Sequence, residues 1–129
     1  MSTPVVQLTA NFERNLEEID AFLVAAEAPG AFDLLLDELL ETVIPNLERF
    51  PGMGRLFFER RTGSVESSNA LDALKRKLHA LAADGEIREY VMSSYLLLYL
   101  RLPHEVYLLA IRHQRQLSFD FQSIWEPTR

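Results

Sequence analysis

The stretch IREYVMSSYLLLYLRLPHEVYLLAIRH, residues 87–113, decides the fold of this chain. It holds three β-prone runs, and only Ser93-Ser94 and Pro103-His104 separate them. Connections this short join antiparallel neighbours, so the stretch predicts an antiparallel meander. Residues 96–98 are continuously apolar, which places the middle strand at the centre of the sheet, with both faces at least partly covered. The three predicted strands are Ile87 to Met92, Tyr95 to Leu102 and Glu105 to His113.

Two amphipathic helices are predicted in the first half of the chain. Apolar residues recur at spacings of three and four over residues 12–26 and again over residues 32–47. Pro29-Gly30 separates the two stripes, and a break this short predicts an antiparallel helical hairpin. Pro45 lacks a backbone N–H, so the second helix is expected to kink or end near residues 42–44.

The chain as a whole is predicted to form one α+β domain over residues 1–129, since this length supports a single core. An N-terminal strand at residues 5–8 and the helical hairpin pack, in two layers, on a small antiparallel sheet. After the turn-rich segment 50–54, a weak strand signal begins at Arg55. A stripe of leucines then predicts an inserted helix near residues 69–83. The stripe consists of Leu71, Leu74, Leu78 and Leu81.

Composition excludes several classes of protein. The chain has no cysteine, so it has neither disulfides nor a thiolate nucleophile, which fits a reducing cytoplasm. Its first residues lack a basic region followed by an apolar one, and its longest apolar runs cannot cross a bilayer. We therefore expect a cytoplasmic protein with no membrane partner. Residues 1–50 carry ten acidic residues against Arg14 and Arg49, which disfavours broad attraction to nucleic acid.

The sequence contains no GxGxxG, Walker A, HExxH or GxSxG motif. Its three histidines, His79, His104 and His113, fall in separate segments, so neither a metal site nor a cofactor is expected. Gly52-Met53-Gly54 is too short to cradle a phosphate and is interpreted as a turn.

The candidate catalytic residues are Arg88, Arg112, His113 and Arg115. The last three lie where an apolar strand runs into a cationic end, and Arg88 belongs to the same predicted sheet. Arginine can stabilise developing charge on a phosphate, and histidine can move a proton near neutral pH. The last three also have structural explanations. Arg112 would be a solvated charge at the strand end or would pair with Glu89 or Asp120, His113 would be a structural hydrogen-bonding residue, and Arg115 would be a plain surface residue.

The order of strand, helical hairpin and three-stranded meander resembles that of the RelE/ParE superfamily, the plasmid-stabilisation type of toxin in type II toxin–antitoxin systems. Four local strings are similar to segments of that family, and together they lie within residues 4–58 and 86–121. They are LTANFERNL at residues 8–16, NLERFPGMGR at 46–55, REYV at 88–91 and LAIRHQRQ at 109–116.

The resemblance implies a toxin that causes growth arrest and is neutralised by a cognate antitoxin, as a hetero-oligomer with it or as a homodimer. RelE-like members are ribosome-dependent, metal-independent endoribonucleases that cleave mRNA, whereas ParE-like members inhibit DNA gyrase. In the RelE-like case Arg88 and Arg115 fall near positions where the family carries basic residues.

Two departures from the RelE-like pattern favour a ParE-like function. RelE-like enzymes are strongly basic, whereas this chain carries a formal net charge of −6. Phe119 and Phe121 follow Arg115 where a tyrosine would be needed, and neither can act as acid or base. The leading hypothesis is therefore a gyrase-type inhibitor. The alternatives are a RelE-like ribonuclease, or a detoxified scaffold that only forms complexes.

Overall fold

The computed structural model describes residues 3–56, 76 and 85–114. A helical hairpin lies on a five-stranded sheet, which confirms the α+β class. The helix predicted at 69–83 lies outside the described residues except for Arg76, which is helical and exposed. The elements in chain order are β1 (Val5–Leu8), α1 (Ala10–Ala25), α2 (Ala31–Glu38), α3 (Ile44–Arg49), β2 (Arg55–Leu56), β3 (Glu86–Val91), β4 (Tyr95–Arg101) and β5 (Glu105–His113).

The sheet has the strand order β1-β5-β4-β3-β2, so β4 is central, as predicted. Strands β3, β4 and β5 form the predicted antiparallel meander. Backbone hydrogen bonds close its two turns, from Met92 N–H to the carbonyl of Tyr95 at 2.9 Å and from Leu102 N–H to that of Glu105 at 2.8 Å. The outer strand β1 pairs parallel with β5, so the sheet is mixed, with the predicted antiparallel meander as its larger part. Most of the chain separates these two strands, so no short turn dictates their relative direction.

The start of α1 is fastened to the sheet by three polar side chains. The hydroxyl of Thr9 caps the helix by accepting a backbone N–H at 3.2 Å. The Asn11 side chain donates to the carbonyl of Leu109 at 2.9 Å, and Asn15 Oδ1 accepts the N–H of Ile111 at 3.0 Å. These bonds satisfy backbone groups of β5 beyond the point where β1 ends. They also fix the direction in which α1 crosses the sheet.

The second helix does not end at Pro45 but changes its geometry before it. Residues Leu39–Val43 form a π-helical turn between α2 and α3. There the N–H of Ile44 bonds to the carbonyl of Leu39, five residues back. Such a turn accommodates the missing N–H of a proline in the next turn of helix without breaking the chain's path. The apolar side therefore stays continuous, with Leu35, Leu39, Val43 and Leu47 all buried.

The two faces of the sheet pack in separate apolar clusters. Leu97 and Tyr99 of β4 face the helices and join Phe12 of α1 in the larger cluster. Leu98 and Leu100 point to the opposite face, where a smaller buried cluster lies. Side chains alternate along β3 as well, with Tyr90 and Met92 on the helical side and Ile87 on the other.

Candidate functional site

A groove of about 1160 Å³ opens between the helical hairpin and the end of the sheet where β5 finishes. Phe22 of α1 and Leu34 of α2 line it with side chains that are 70% and 71% exposed. Buried apolar side chains of the core, Leu35 and Ile111, form part of its lining. A concave apolar surface with exposed large side chains is typical of a binding site.

Four carboxylates also line the groove, Glu18, Asp37, Glu38 and Glu41. Glu38 is partly engaged, because its Oε2 accepts from the Ser93 N–H at 2.9 Å and from the Ser93 hydroxyl at 3.2 Å. This contact joins α2 to the turn between β3 and β4, and so forms one wall of the groove. No local sequence pattern predicts this contact, since the two residues lie far apart in the chain.

His113 lies at the strand end of the groove. Its ring meets that of Tyr95 edge-on, with centroids 5.3 Å apart and an interplanar angle of 78°. Burial raises the pKa of Tyr95 above its ordinary value. Neighbouring Arg112 points to the opposite face of the sheet, is buried, and donates from Nη1 to the carbonyl of His113 at 3.2 Å. Arg115 lies outside the described residues.

Arg88 lies at the other end of the sheet, on the helical face. Its Nε donates to Glu86 Oε1 at 3.1 Å, and its Nη1 donates to the carbonyl of Gly54. Arg101, which the sequence analysis did not single out, donates to the same Glu86 oxygen at 3.2 Å. The register predicts this neighbour, since Glu86 and Arg101 pair across β3 and β4. Burial favours a raised pKa at Glu86, but the hydrogen bonds and charges of both arginines outweigh it and hold that pKa below the usual range.

The structure does not bring Arg88 together with Arg112 and His113. Arg88 pairs with Tyr99 of β4, whereas His113 pairs with Tyr95, and β4 lies between the two strands. Four residues along a strand and two strand spacings put their Cα atoms about 16 Å apart. The described candidates therefore form two groups.

Tyr99 fastens the turn after α3 to the sheet. Its hydroxyl donates to the carbonyl of Pro51 at 2.9 Å and accepts the N–H of Gly54 at 3.1 Å. The side chain is fully buried, and burial raises the pKa of its phenol. A β-carbon at Gly54 would lie 2.5 Å from the carbonyl oxygen of Glu89, so only glycine allows this approach.

A protein-family model matches the chain over most of its length. The family model for the ParE toxin of the type II toxin–antitoxin system, parDE, matches residues 6–118. This chain belongs to the ParE toxin family. No individual curated protein matches the chain at a comparable level. The matched region includes the hairpin, all of the sheet except Val5, and both groups of candidate residues.

Further features of this ParE-family toxin concern metals and membranes. Within residues 3–56 and 85–114, no three histidine or acidic side chains come together in a way that could hold a metal ion. None of the helices in the described part has the length and apolarity needed to cross a membrane.

We expect Tyr99→Phe to lower the free energy of unfolding by about 1–3 kcal/mol, because the N–H of Gly54 and the carbonyl of Pro51 lose their shared partner. Urea denaturation at neutral pH measures this. Tyr107→Phe is a matched control, since its hydroxyl bonds only the partly exposed Glu105 among the contacts described. Equal losses in the two variants would contradict the fastening role.

Alkaline pH provides a second readout of Tyr99. Its folded pKa lies above the ordinary 10.0, so its contribution is present below pH 10 and is lost as pH rises through the folded value. The phenylalanine variant should therefore lose less stability at high pH than the parent chain.

Proposed function

We propose that this toxin acts as a ParE-like inhibitor of a macromolecular target, DNA gyrase, and that a cognate antitoxin holds it inactive. The observation that carries the proposal is the separation of Arg88 from His113 and Arg112. A ribonuclease of the RelE type needs several basic or polar groups around one phosphate. Here Arg88 instead bonds the turn at Gly54, while Arg112 is buried on the opposite face of the sheet.

Charge supports the same conclusion. The hairpin and its groove carry acidic side chains, whereas a ligand of the ribosome requires a cationic surface. An acidic surface repels RNA phosphates, so a protein target fits this chain better. The competing hypothesis is a RelE-like ribonuclease in which His113 acts with Arg115, two residues further along the chain.

The first experiment follows incorporation of labelled amino acids within minutes of inducing the toxin gene alone. Continued protein synthesis with arrested division is expected, together with inhibition of DNA supercoiling by gyrase when the purified toxin is added. A prompt collapse of protein synthesis would support the ribonuclease instead. Healthy growth would leave only a complex-forming scaffold.

Substitutions separate the two activities further. The variants His113→Gln and Arg115→Ala are expected to cause growth arrest within about twofold of the parent toxin. The control variant Arg49→Ala, at an exposed arginine, should behave in the same way. In a ribonuclease, loss of a general acid or base costs about 10²–10⁴-fold in cleavage rate. Loss of toxicity in the first two variants, with toxicity retained in the control, would therefore overturn the gyrase proposal.

A further inference from the structure

Strand β1 leaves one edge of the sheet open. It is the outermost strand in the order β1-β5-β4-β3-β2, and its only strand partner among the described residues is β5. The N–H groups of Val5 and Thr9 donate to carbonyls of β5 and its preceding turn, at 3.2 Å and 3.1 Å. Because backbone groups alternate in direction along a strand, the N–H and C=O groups of Val6 and Leu8 point outward. These four backbone groups are therefore available to another strand.

The side chains along this edge favour pairing. Protected edges usually carry lysine, proline or an inward-pointing charge, whereas residues 5–8 are Val-Val-Gln-Leu. Val5 and Leu8 point to opposite faces of the sheet and keep 56% and 42% of their surface exposed. A strand placed against this edge would therefore cover apolar surface on both faces.

The length of the open edge selects a symmetric pair. It is short, because α1 begins at Ala10 and Pro4 has no N–H to donate. In an antiparallel copy of β1 centred on Gln7, Val6 lies opposite Leu8 of the second copy, and Leu8 lies opposite Val6. Both pairs exchange two hydrogen bonds, so all four outward groups of each copy are satisfied. A centre at Val6 would set Leu8 against Pro4, and a centre at Leu8 would set Val6 against the helix start, so both arrangements lose bonds.

We propose that the toxin forms a homodimer in which β1 pairs antiparallel with β1 of a second copy, about a twofold axis at Gln7. The two sheets then become continuous. The amide of Gln7, which donates to Glu105 at 3.4 Å, can donate across the axis to Gln7 of the second copy instead. The edge has no charge with which to select a foreign strand, whereas the twofold pair satisfies it completely. A contact this short buries less than a standard interface, so the dimer is weak and concentration-dependent.

Sedimentation velocity of the full-length toxin, made by cell-free synthesis, measures this self-association. The parent chain should shift from the mass of one chain to that of two as its concentration rises from micromolar to millimolar. A parent chain that stays monomeric throughout this range would overturn the proposal. Open-ended assembly would do the same, because a twofold pair leaves no β1 edge to continue it.

Leu8 provides a matched pair of variants. Leu8→Pro removes an N–H that points outward, so it breaks two of the four hydrogen bonds across the axis and keeps the ladder with β5. Leu8→Thr keeps that N–H but removes apolar surface. We expect Leu8→Pro to weaken dimerisation at least about tenfold, and Leu8→Thr less than about threefold. Circular dichroism checks that both variants fold, and equal effects would mean that backbone pairing at β1 does not hold the dimer.

Position 7 tests the axis itself. Gln7→Glu and Gln7→Lys each put like charges directly opposite each other, so each variant alone should dimerise about two- to fivefold more weakly than the parent. An equimolar mixture of the two variants sets opposite charges across the axis and should restore dimerisation to at least the level of the parent. A mixture that restores nothing would refute a twofold axis at Gln7.

These measurements do not depend on the gyrase experiment, because the mass of the assembly is measured without any toxicity. A toxin that dimerises through β1 but leaves gyrase active would refute the proposed target and leave the dimer standing. A monomeric toxin that inhibits gyrase would do the reverse.

Discussion

Phe12→Ala is expected to lower the free energy of unfolding by about 3–5 kcal/mol, the largest effect of any single substitution considered for this toxin. Phe12 has no exposed surface and lies where α1 meets the sheet, in one cluster with Leu97 and Val106. Removing the ring leaves a cavity that the fastened start of α1 prevents from collapsing. Urea denaturation followed by circular dichroism measures the loss.

The matched control lies on the same helix. Phe22 is 70% exposed, so Phe22→Ala should change the free energy of unfolding by less than about 0.5 kcal/mol. A large loss of stability in both variants would mean that Phe22 packs against the body of the protein rather than lying exposed at its surface.

Gly54→Ala is expected to destabilise the toxin by about 2–4 kcal/mol. The new β-carbon would lie 2.5 Å from the carbonyl oxygen of Glu89 and 2.9 Å from the hydroxyl of Tyr99. The first of these is backbone in the middle of β3, so the turn must lift away from the sheet. That movement also breaks the bonds from Tyr99 and Arg88 to residue 54.

Gly52→Ala distinguishes this clash from a general intolerance of the turn. The atoms nearest to its β-carbon would belong to the guanidinium of Arg101, at 2.8 Å, and that end of a flexible, partly exposed side chain can move aside. We expect a loss below about 1 kcal/mol. Similar losses at both glycines would show that backbone freedom, rather than close approach to the sheet, requires glycine here.

Local patterns predicted the elements of this fold well. The meander followed from two-residue connections at Ser93-Ser94 and Pro103-His104, and strand β5 begins and ends at the predicted residues. Thr9 caps α1 because its hydroxyl accepts a backbone N–H of the first turn, which makes threonine a common residue at helix starts. Each of these features depends on residues close together in the chain, where propensity and periodicity carry the information.

Contacts between segments that lie far apart in the chain could not be predicted from the sequence. The parallel pairing of β1 with β5 and the contact of Glu38 with Ser93 leave no local trace. The groove was missed for the same reason, since its walls come from two helices, a turn and two strand ends. Among the candidate residues, the sequence pattern placed Arg88 on the correct strand. The distance along the sheet between Arg88 and His113 could not be predicted from the sequence.

The hydrogen bonds of the Thr9, Asn11 and Asn15 side chains to β5 bear on the solubility of the protein. Among the residues that the structure describes, no strand pairs with the outer side of β5 beyond Leu108, and an open strand edge is where another chain can add itself and start aggregation. The asparagine side chains of α1 occupy the backbone groups of Leu109 and Ile111 that such an intruder would use. These side-chain bonds therefore hinder another copy of the chain from pairing along this part of the edge.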